Sequence, residues 1–310
     1  MIISASRRTD IPAYYARWFM NRIRAGFCDV PNPFNRHQVT RVSLRPEDVD
    51  AIVFWTRDAR PLMSWLDELD ARGYRYVFLV TVLDYPPPLR AHDLPAPAAV
   101  RMFGELAARL GPERVVWRYD PLVFSAATNG PFHAAKFAAL AESLRGFTRR
   151  VIVSGLSRYR KNRLALASLA QGRFAVVPKE QVPPAEMESL LRALATTAQT
   201  HGLELVSCAE TMNWRDFGIA PGRCLDHVLL QRACGVHVAG TKDHAQRPAC
   251  GCVVSRDIGT YNTCVRGCPY CYAVANPELA RRALAQHDPE ATALLAGPPV
   301  AAAEARRDTG

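Results

Sequence analysis

Three cysteines near residue 270 have the residue type and spacing for inorganic chemistry. Cys264, Cys268 and Cys271 follow a CxxxCxxC pattern, with Gly267 and Pro269 on either side of the second cysteine. Glycine and proline favour a tight loop over a helix, so the backbone can wrap a compact ligand. Structural zinc usually takes four ligands, so this pattern alone leaves one vertex free. Iron-sulfur clusters are normally held by four thiolates, so the spacing indicates either a distant fourth ligand or an iron open to a small molecule.

The other cysteines include enough thiols for a second metal site. By chance about 0.6 cysteines would fall in a 22-residue window, whereas residues 250–271 contain five of the nine. Four cysteines outside the CxxxCxxC pattern are candidate ligands for zinc or a second iron-sulfur cluster. They are Cys208, Cys224, Cys250 and Cys252. The alternative is that Cys208 is a small buried residue, and that Cys250 and Cys252 are too close for one tetrahedral site.

The three-cysteine loop resembles the cluster motif of the radical S-adenosylmethionine enzymes, and residues 263–273 are similar to the photoproduct-lyase branch. In that superfamily three cysteines hold a 4Fe-4S cluster whose fourth iron binds S-adenosylmethionine. An electron from the cluster then splits that molecule into methionine and a 5'-deoxyadenosyl radical. The resemblance implies both cofactors here, with Tyr270 beside them and an electron donor such as flavodoxin or ferredoxin. One departure is large: the superfamily keeps this loop near its N-terminus, whereas here it lies near residue 270 of 310.

Longer stretches are similar to an uncharacterised bacterial family, a domain of unknown function with a C-terminal cysteine cluster like that of the radical enzymes. The stretches are residues 3–12, 118–121 and 246–262. The resemblance covers nearly the whole chain and implies an architecture and a cofactor, but no substrate.

A repeated alternation of apolar strands and helical stretches must position these cysteines. Predicted strands lie at residues 2–5, 52–55, 76–81, 115–119, 151–154 and 203–207. Strands this apolar, each followed by a helix, indicate buried parallel pairing. The units predict an α/β fold with a partial or complete parallel β/α barrel of the TIM type, with an open doubly wound sheet as the alternative.

The chain is predicted to have three parts. Residues 1–234 form the barrel core, residues 235–290 form a cysteine-rich metal-binding segment, and residues 291–310 form a disordered tail. Within the second part, residues 235–275 are predicted to be loop ordered by metal, followed by a helix at 277–286. Within the core, residues 27–46 are rich in Pro and Asn and are predicted to be a connection without regular structure.

Polar residues directly after the predicted strands are the candidate site, since ligands bind at the carboxyl ends of parallel strands. Those assigned to cofactor binding after the first strand are Ser6, Arg7, Arg8 and Asp10. The catalytic candidates after later strands are Arg118, Asp120 and Glu210. Guanidinium groups suit a carboxylate of cofactor or substrate, and the acids could accept hydrogen bonds from amino or ribose groups. Alternatively, Arg118 and Asp120 pair with neighbours and only link strand ends.

The chain lacks a Gly-Gly-Glu after a strand, the element that binds the amino group of S-adenosylmethionine in many radical enzymes. We therefore expect a circularly rearranged fold, in which the cysteine loop and the helix at 277–286 precede the first strand in space. Residues 4–10 would then take the amino-binding position. A separation of Ser6 and Arg7 from the Cys264 loop by more than a side chain's reach would contradict this hypothesis.

Charge and hydropathy constrain the partners. The net charge is +10, but the arginines are scattered, so a nucleic-acid partner is compatible with the sequence without being required. No apolar run approaches the roughly 18 residues of a membrane span. The opening residues are too short and wrongly charged for a signal peptide, which predicts a cytoplasmic protein without a membrane partner.

Three functions follow from these patterns. The first is an iron-sulfur enzyme that cleaves S-adenosylmethionine for radical chemistry on an unknown small-molecule or macromolecular substrate. The second is a nucleic-acid repair or modification enzyme of the photoproduct-lyase type, which would use the surplus arginines to bind phosphates. The third is a non-catalytic barrel in which zinc or a cluster only orders the cysteine-rich segment.

Overall fold

The computed structural model describes residues 1–33, 35, 37–87, 89–159, 162–167, 169 and 172–295. Its main feature is a sheet of eight parallel strands, accompanied by a separate two-stranded antiparallel sheet. In chain order the strands are β1 (Ile2–Ala5), β2 (Phe27–Pro31), β3 (Val39–Ser43), β4 (Ala51–Thr56), β5 (Tyr76–Thr81), β6 (Val115–Leu122), β7 (Arg150–Gly155), β8 (Glu204–Cys208), β9 (Ala220–Gly222) and β10 (Arg256–Asp257).

The large sheet has the spatial order β10-β1-β4-β5-β6-β7-β8-β9. From β1 onward this order follows the chain, and every neighbouring pair is parallel. Within the described part of the chain, β9 and β10 are the two edges and no ladder joins them. The predicted α/β class with buried parallel strands is confirmed, and the sheet is not closed by pairing of its edges.

The helices alternate with the strands through most of the chain. They are α1 (Ile11–Tyr14), α2 (Ala16–Ala25), α3 (Arg60–Met63), α4 (Leu66–Ala71), α5 (Ala96–Leu110), α6 (Gly130–Ser143), α7 (Arg163–Ala167), α8 (Pro184–Thr200), α9 (His227–Cys234) and α10 (Pro277–Ala285). Asn276 caps α10, since its side chain accepts from the backbone N–H groups of Glu278 and Leu279.

Successive strand residues point into two different cores, as the alternation of side chains along a strand requires. One face of the sheet, represented by Phe54 and Phe78, packs against α2 to α6 and α8. The opposite face, represented by Val53 and Leu79, packs against α9 and against the loops that contain Cys224, Cys250 and Cys252. The loops that contain Cys224, Cys250 and Cys252 therefore cover this second face, here called the inner face, whereas Cys268 and Tyr270 pack with the first core.

Two segments differ from the sequence-based prediction. Residues 27–46 contain the hairpin β2–β3 and were wrongly predicted to lack regular structure. Five residues of each strand pair in antiparallel register, and most of the Pro and Asn residues fall in the connection between them. Arg41 Nε also lies 2.9 Å from Asp29 Oδ1 across the hairpin. The cysteine-rich segment also contributes β10 to the main sheet, so it is not solely loop.

The end of the described chain packs onto α2. Trp18 Nε1 donates to the carbonyl of Ala291 at 2.9 Å, and Leu294 is buried. The rest of the predicted disordered tail, residues 296–310, lies outside the described residues. No helix within the described ranges has the length and apolar character needed to cross a membrane.

Candidate functional site

A cavity of about 610 Å³ lies at the carboxyl ends of the parallel strands. The predicted site residues on its wall are Ser6, Arg7, Arg8, Asp10, Arg118, Asp120 and Tyr270. Seven cysteines also line it: Cys208, Cys224, Cys250, Cys252, Cys264, Cys268 and Cys271. Glu210 is the one catalytic candidate that does not line this cavity. The fold thus brings both cysteine groups and the polar strand ends to one place.

Asp257, on β10, ties the cysteine-rich part of the chain to the loop after β1. Its Oδ1 accepts from Ser6 Oγ at 2.6 Å and from the N–H of Gly259 at 3.0 Å. Its Oδ2 accepts from the N–H of Arg7 at 2.8 Å and from Ser4 Oγ at 3.0 Å. Because these four bonds use both carboxylate oxygens, the Ser6 side chain and the Arg7 backbone are fixed beside β10. The Tyr272 hydroxyl, next to Cys271, also donates to the carbonyl of Arg7 at 2.8 Å.

The Cys264 loop presents three partly buried thiols, and backbone donors reach two of them. The N–H of Ala273 donates to Cys271 Sγ at 3.3 Å, and the N–H of Arg266 bonds to the Cys264 thiol. Burial raises the pKa of Cys264 to about 12 and also raises the pKa of Cys268 and Cys271. These thiols are therefore neutral at pH 7 until something binds them, and a metal would displace their protons.

A network of ion pairs and hydrogen bonds holds the cysteine loop in position. The carboxylate of Asp10 caps α1 and accepts from Thr56 Oγ1 at 2.6 Å and from the N–H of Arg57 at 3.0 Å. Arg266 Nη2 lies 3.4 Å from Asp10 Oδ2, so the loop residue and the helix cap are paired. Asp10 is therefore engaged within the protein, which makes it a positioning residue for the loop.

Tyr270 belongs to the same bracing network. Its hydroxyl accepts from Arg57 Nη2 at 3.2 Å, and Arg57 Nη1 is 2.6 Å from Asp93 Oδ2. The ring packs edge-on against Tyr85, with centroids 5.9 Å apart. Tyr270 is buried but lines the cavity, so it forms part of the wall beside Cys268 and Cys271.

Two arginines frame Trp55 on the cavity wall. The guanidinium carbons of Arg7 and Arg118 lie 5.5 Å and 5.0 Å from the indole centroid. Among the described contacts, Arg7 Nη2 and Arg118 Nε are buried without a hydrogen-bond partner. Arg118 also pairs with Asp120, which in turn accepts from Ser154. Arg118 Nη2 is therefore engaged by its neighbour Asp120, whereas Nε is available to a ligand.

Glu210 is bound within the protein wall. Its Oε2 lies 2.6 Å from Lys179 Nζ, and its Oε1 accepts from the N–H of Gly155 at 2.8 Å. Burial raises the pKa of Glu210, while the ammonium of Lys179 opposes that rise. This geometry gives Glu210 a role in joining β7 and the loop after β8.

The second group of cysteines converges against the inner face of the sheet. Cys224 Sγ lies 3.2 Å from Cys208 Sγ, and the N–H of Leu225 donates to Cys252 Sγ at 3.4 Å. Hydrogen bonds from Cys208, Cys224 and Cys250 lower the pKa of Cys252. In the described chain no group of three or more histidine, cysteine or carboxylate side chains has the geometry to hold a metal ion as it stands.

Sequence reasoning missed Asp257 and Arg266, which position the loops on either side of the cavity. Arg266 donates to the carbonyl of His92 at 2.8 Å in addition to its pairing with Asp10. The available signal for Asp257 was its place two residues before Gly259, where an aspartate commonly accepts from the backbone N–H two positions on. Its bonds to β1 had no comparable signal.

Comparison with known proteins locates the chain in one family. No curated protein matches the sequence. The family described as "Domain of unknown function (DUF1848)" matches residues 2–273, which include β1, every cavity-lining cysteine and Asp257. Because the match covers nearly the whole chain, the protein belongs to this family of domains of unknown function.

Proposed function

We propose that the protein is an iron-sulfur enzyme that binds S-adenosylmethionine in the cavity and uses it for radical chemistry. The observation that carries the proposal is the shared wall: Cys264, Cys268 and Cys271 line the same cavity as the polar loop after β1. Three thiols from one loop leave a four-iron cluster with one iron for a small molecule. When bound, that cluster would supply the electron that cleaves S-adenosylmethionine to a 5'-deoxyadenosyl radical.

The residues fit such a cluster in their donor chemistry. Thiolates are the usual ligands of iron-sulfur clusters, and hydrogen bonds to their sulfurs help set the reduction potential. Backbone N–H groups already reach Cys264 and Cys271. The network of Asp10, Arg57 and Arg266 would hold the loop in place and keep water from its inner side.

Arg7 and Arg118 are the groups on the wall best suited to an anionic part of a ligand. Each has a buried guanidinium nitrogen without a partner among the described contacts, and both face Trp55. A carboxylate placed there would receive charge-assisted hydrogen bonds. Trp55 would offer a flat apolar surface to the rest of the ligand.

The strand arrangement supports a partial β/α barrel with circularly rearranged connectivity. A doubly wound sheet reverses its strand order, whereas here the order is sequential from β1. The helices α2 to α6 and α8 share one face, and α9 packs on the other together with the loops that contain Cys224, Cys250 and Cys252. Strand β10 lies beside β1, and the cysteine loop follows β10. In space, therefore, the cysteine loop precedes β1, and the Ser6 hydroxyl and the Arg7 N–H donate to Asp257 on β10.

The test is anaerobic purification, quantitation of iron and sulfide, and an assay for 5'-deoxyadenosine under reducing conditions. The wild type should contain iron and sulfide and form 5'-deoxyadenosine from S-adenosylmethionine. Cys268→Ala should lose both properties, whereas the matched control Cys28→Ala, which changes a buried thiol away from the cavity, should keep them. Cleavage retained by Cys268→Ala would refute the proposal. Zinc without iron or sulfide in the wild type would favour the non-catalytic stapled barrel instead.

A further inference from the structure

Four cysteines from three separate parts of the chain meet on the inner face of the sheet. Cys208 ends β8, Cys224 lies two residues beyond β9, and Cys250 and Cys252 belong to the loop before β10. Cys224, Cys250 and Cys252 belong to one buried core, Cys208 packs against it, and the Cys208 and Cys224 sulfurs are 3.2 Å apart. Residues as far apart as 208 and 252 thus share one contact group.

We propose that Cys208, Cys224, Cys250 and Cys252 are the four thiolate ligands of a single zinc ion. A tetrahedral ion with Zn–S bonds of about 2.3 Å has sulfurs about 3.8 Å apart. The Cys224 and Cys208 sulfurs are 3.2 Å apart, slightly less than this value, so a small outward movement of that pair would let both bind one ion. A four-iron cluster binds each thiolate at a different iron and would need a much wider opening. The compact arrangement therefore favours a single ion.

The surroundings match the charge of such a site. Four thiolates around Zn²⁺ carry a net charge of −2. Arg7 interacts electrostatically with Cys252 and Cys224, and Arg118 with Cys224 and Cys208, so two guanidinium groups balance that charge. The N–H of Leu225 donates to Cys252 Sγ, the kind of outer contact that orients a metal ligand.

The covering loop has almost no regular structure of its own, although Val253 is buried and its N–H donates to the carbonyl of Leu225 at 3.1 Å. Residues 235–255, all of which are described, contain no helix or strand, and a single bridge joins Lys242 to Val253. Ordered connections of about 20 residues without regular structure are uncommon. Zinc would fasten this loop to the carboxyl ends of β8 and β9, at an edge of the sheet, and so complete one wall of the cavity.

The deciding experiment uses the full chain with Cys264, Cys268 and Cys271 changed to Ala, so that only the second group can hold metal. Zinc analysis should give one ion per chain, and X-ray absorption at the zinc edge should give four sulfur neighbours at about 2.3 Å. Adding Cys252→Ser should lower the zinc content at least tenfold. Adding Cys234→Ser, a thiol next to the same core but outside the group, should leave it unchanged.

Zinc missing from the triple variant would overturn the proposal, as would zinc kept in full after Cys252→Ser or iron bound in its place. The absorption measurement requires no substitution in the second group, so it decides the matter even if Cys252→Ser does not fold. The radical proposal is tested separately, by iron, sulfide and 5'-deoxyadenosine in the wild type. Either proposal can fail without the other.

Discussion

Asp257→Asn is the sharpest test of how the two sides of the cavity are held together. Each carboxylate oxygen accepts from one serine hydroxyl and one backbone N–H, those of Arg7 and Gly259. The amide of asparagine replaces one oxygen with an NH₂ group, which cannot accept. A serine hydroxyl can turn to accept from this NH₂, but a backbone N–H cannot. One buried donor is therefore left without an acceptor, at a cost of about 1–3 kcal/mol.

Urea unfolding followed by tryptophan fluorescence measures this loss, because Trp55 Nε1 donates to Ser4 Oγ at 3.1 Å beside the changed carboxylate. The matched control is Asp288→Asn, which alters an exposed carboxylate that accepts from the N–H of Glu290. That change should cost less than about 0.5 kcal/mol. If both variants unfold at the wild-type urea midpoint, Asp257 does not join β10 to β1 in the way described.

Two further predictions concern the buried titratable groups His133 and Glu210. Burial lowers the pKa of His133 to about 4, so below its ordinary pKa the unfolded chain takes up a proton that the folded chain does not. Stability should fall by about 2 kcal/mol between pH 7 and pH 5, and a His133→Gln variant that keeps the full pH dependence would contradict this. Glu210→Gln leaves Lys179 buried without its counter-charge and should cost about 3 kcal/mol. The control is the exposed pair of Glu188 and Arg192. Glu188→Gln should change the free energy of unfolding by less than about 1 kcal/mol. Equal losses of stability in the two variants would contradict the structural role of Glu210.

Those parts of the fold whose cause is local were predictable from the sequence. The strand predicted at residues 76–81 coincides with β5. A short, continuous apolar run between polar segments is typical of a buried strand. The hairpin β2–β3 was missed because Asn32 and Pro33 indicate a turn without indicating which flanking residues pair. The two residues of β10 become a strand through their pairing with β1, so no local pattern could have indicated it.

The candidate site was likewise predictable where residue type indicated it, and not where distant segments determine the contacts. The cysteine groups and the loop after β1 were identified because their residue types are rare or dense, and the fold brings them to one cavity. Glu210 was assigned to the site because it follows a strand. Lys179, more than 30 residues earlier in the chain, engages its carboxylate instead. Strand-end position predicts nearness to the cavity, but the partner of a side chain depends on distant segments.

The pairing of β10 with β1 has a consequence for how the protein is made. Ser4 and Asp257 are bonded although they are 253 positions apart, and at 5–20 residues per second the ribosome needs roughly 13–50 seconds to pass from one to the other. During that interval one edge of the apolar β1 has no strand to cover it, which exposes the nascent chain to misassociation. The pocket is completed only once residues 245–273 have been synthesised, so a chain that stalls before residue 257 carries β1 but lacks both Asp257 and the cysteine loop.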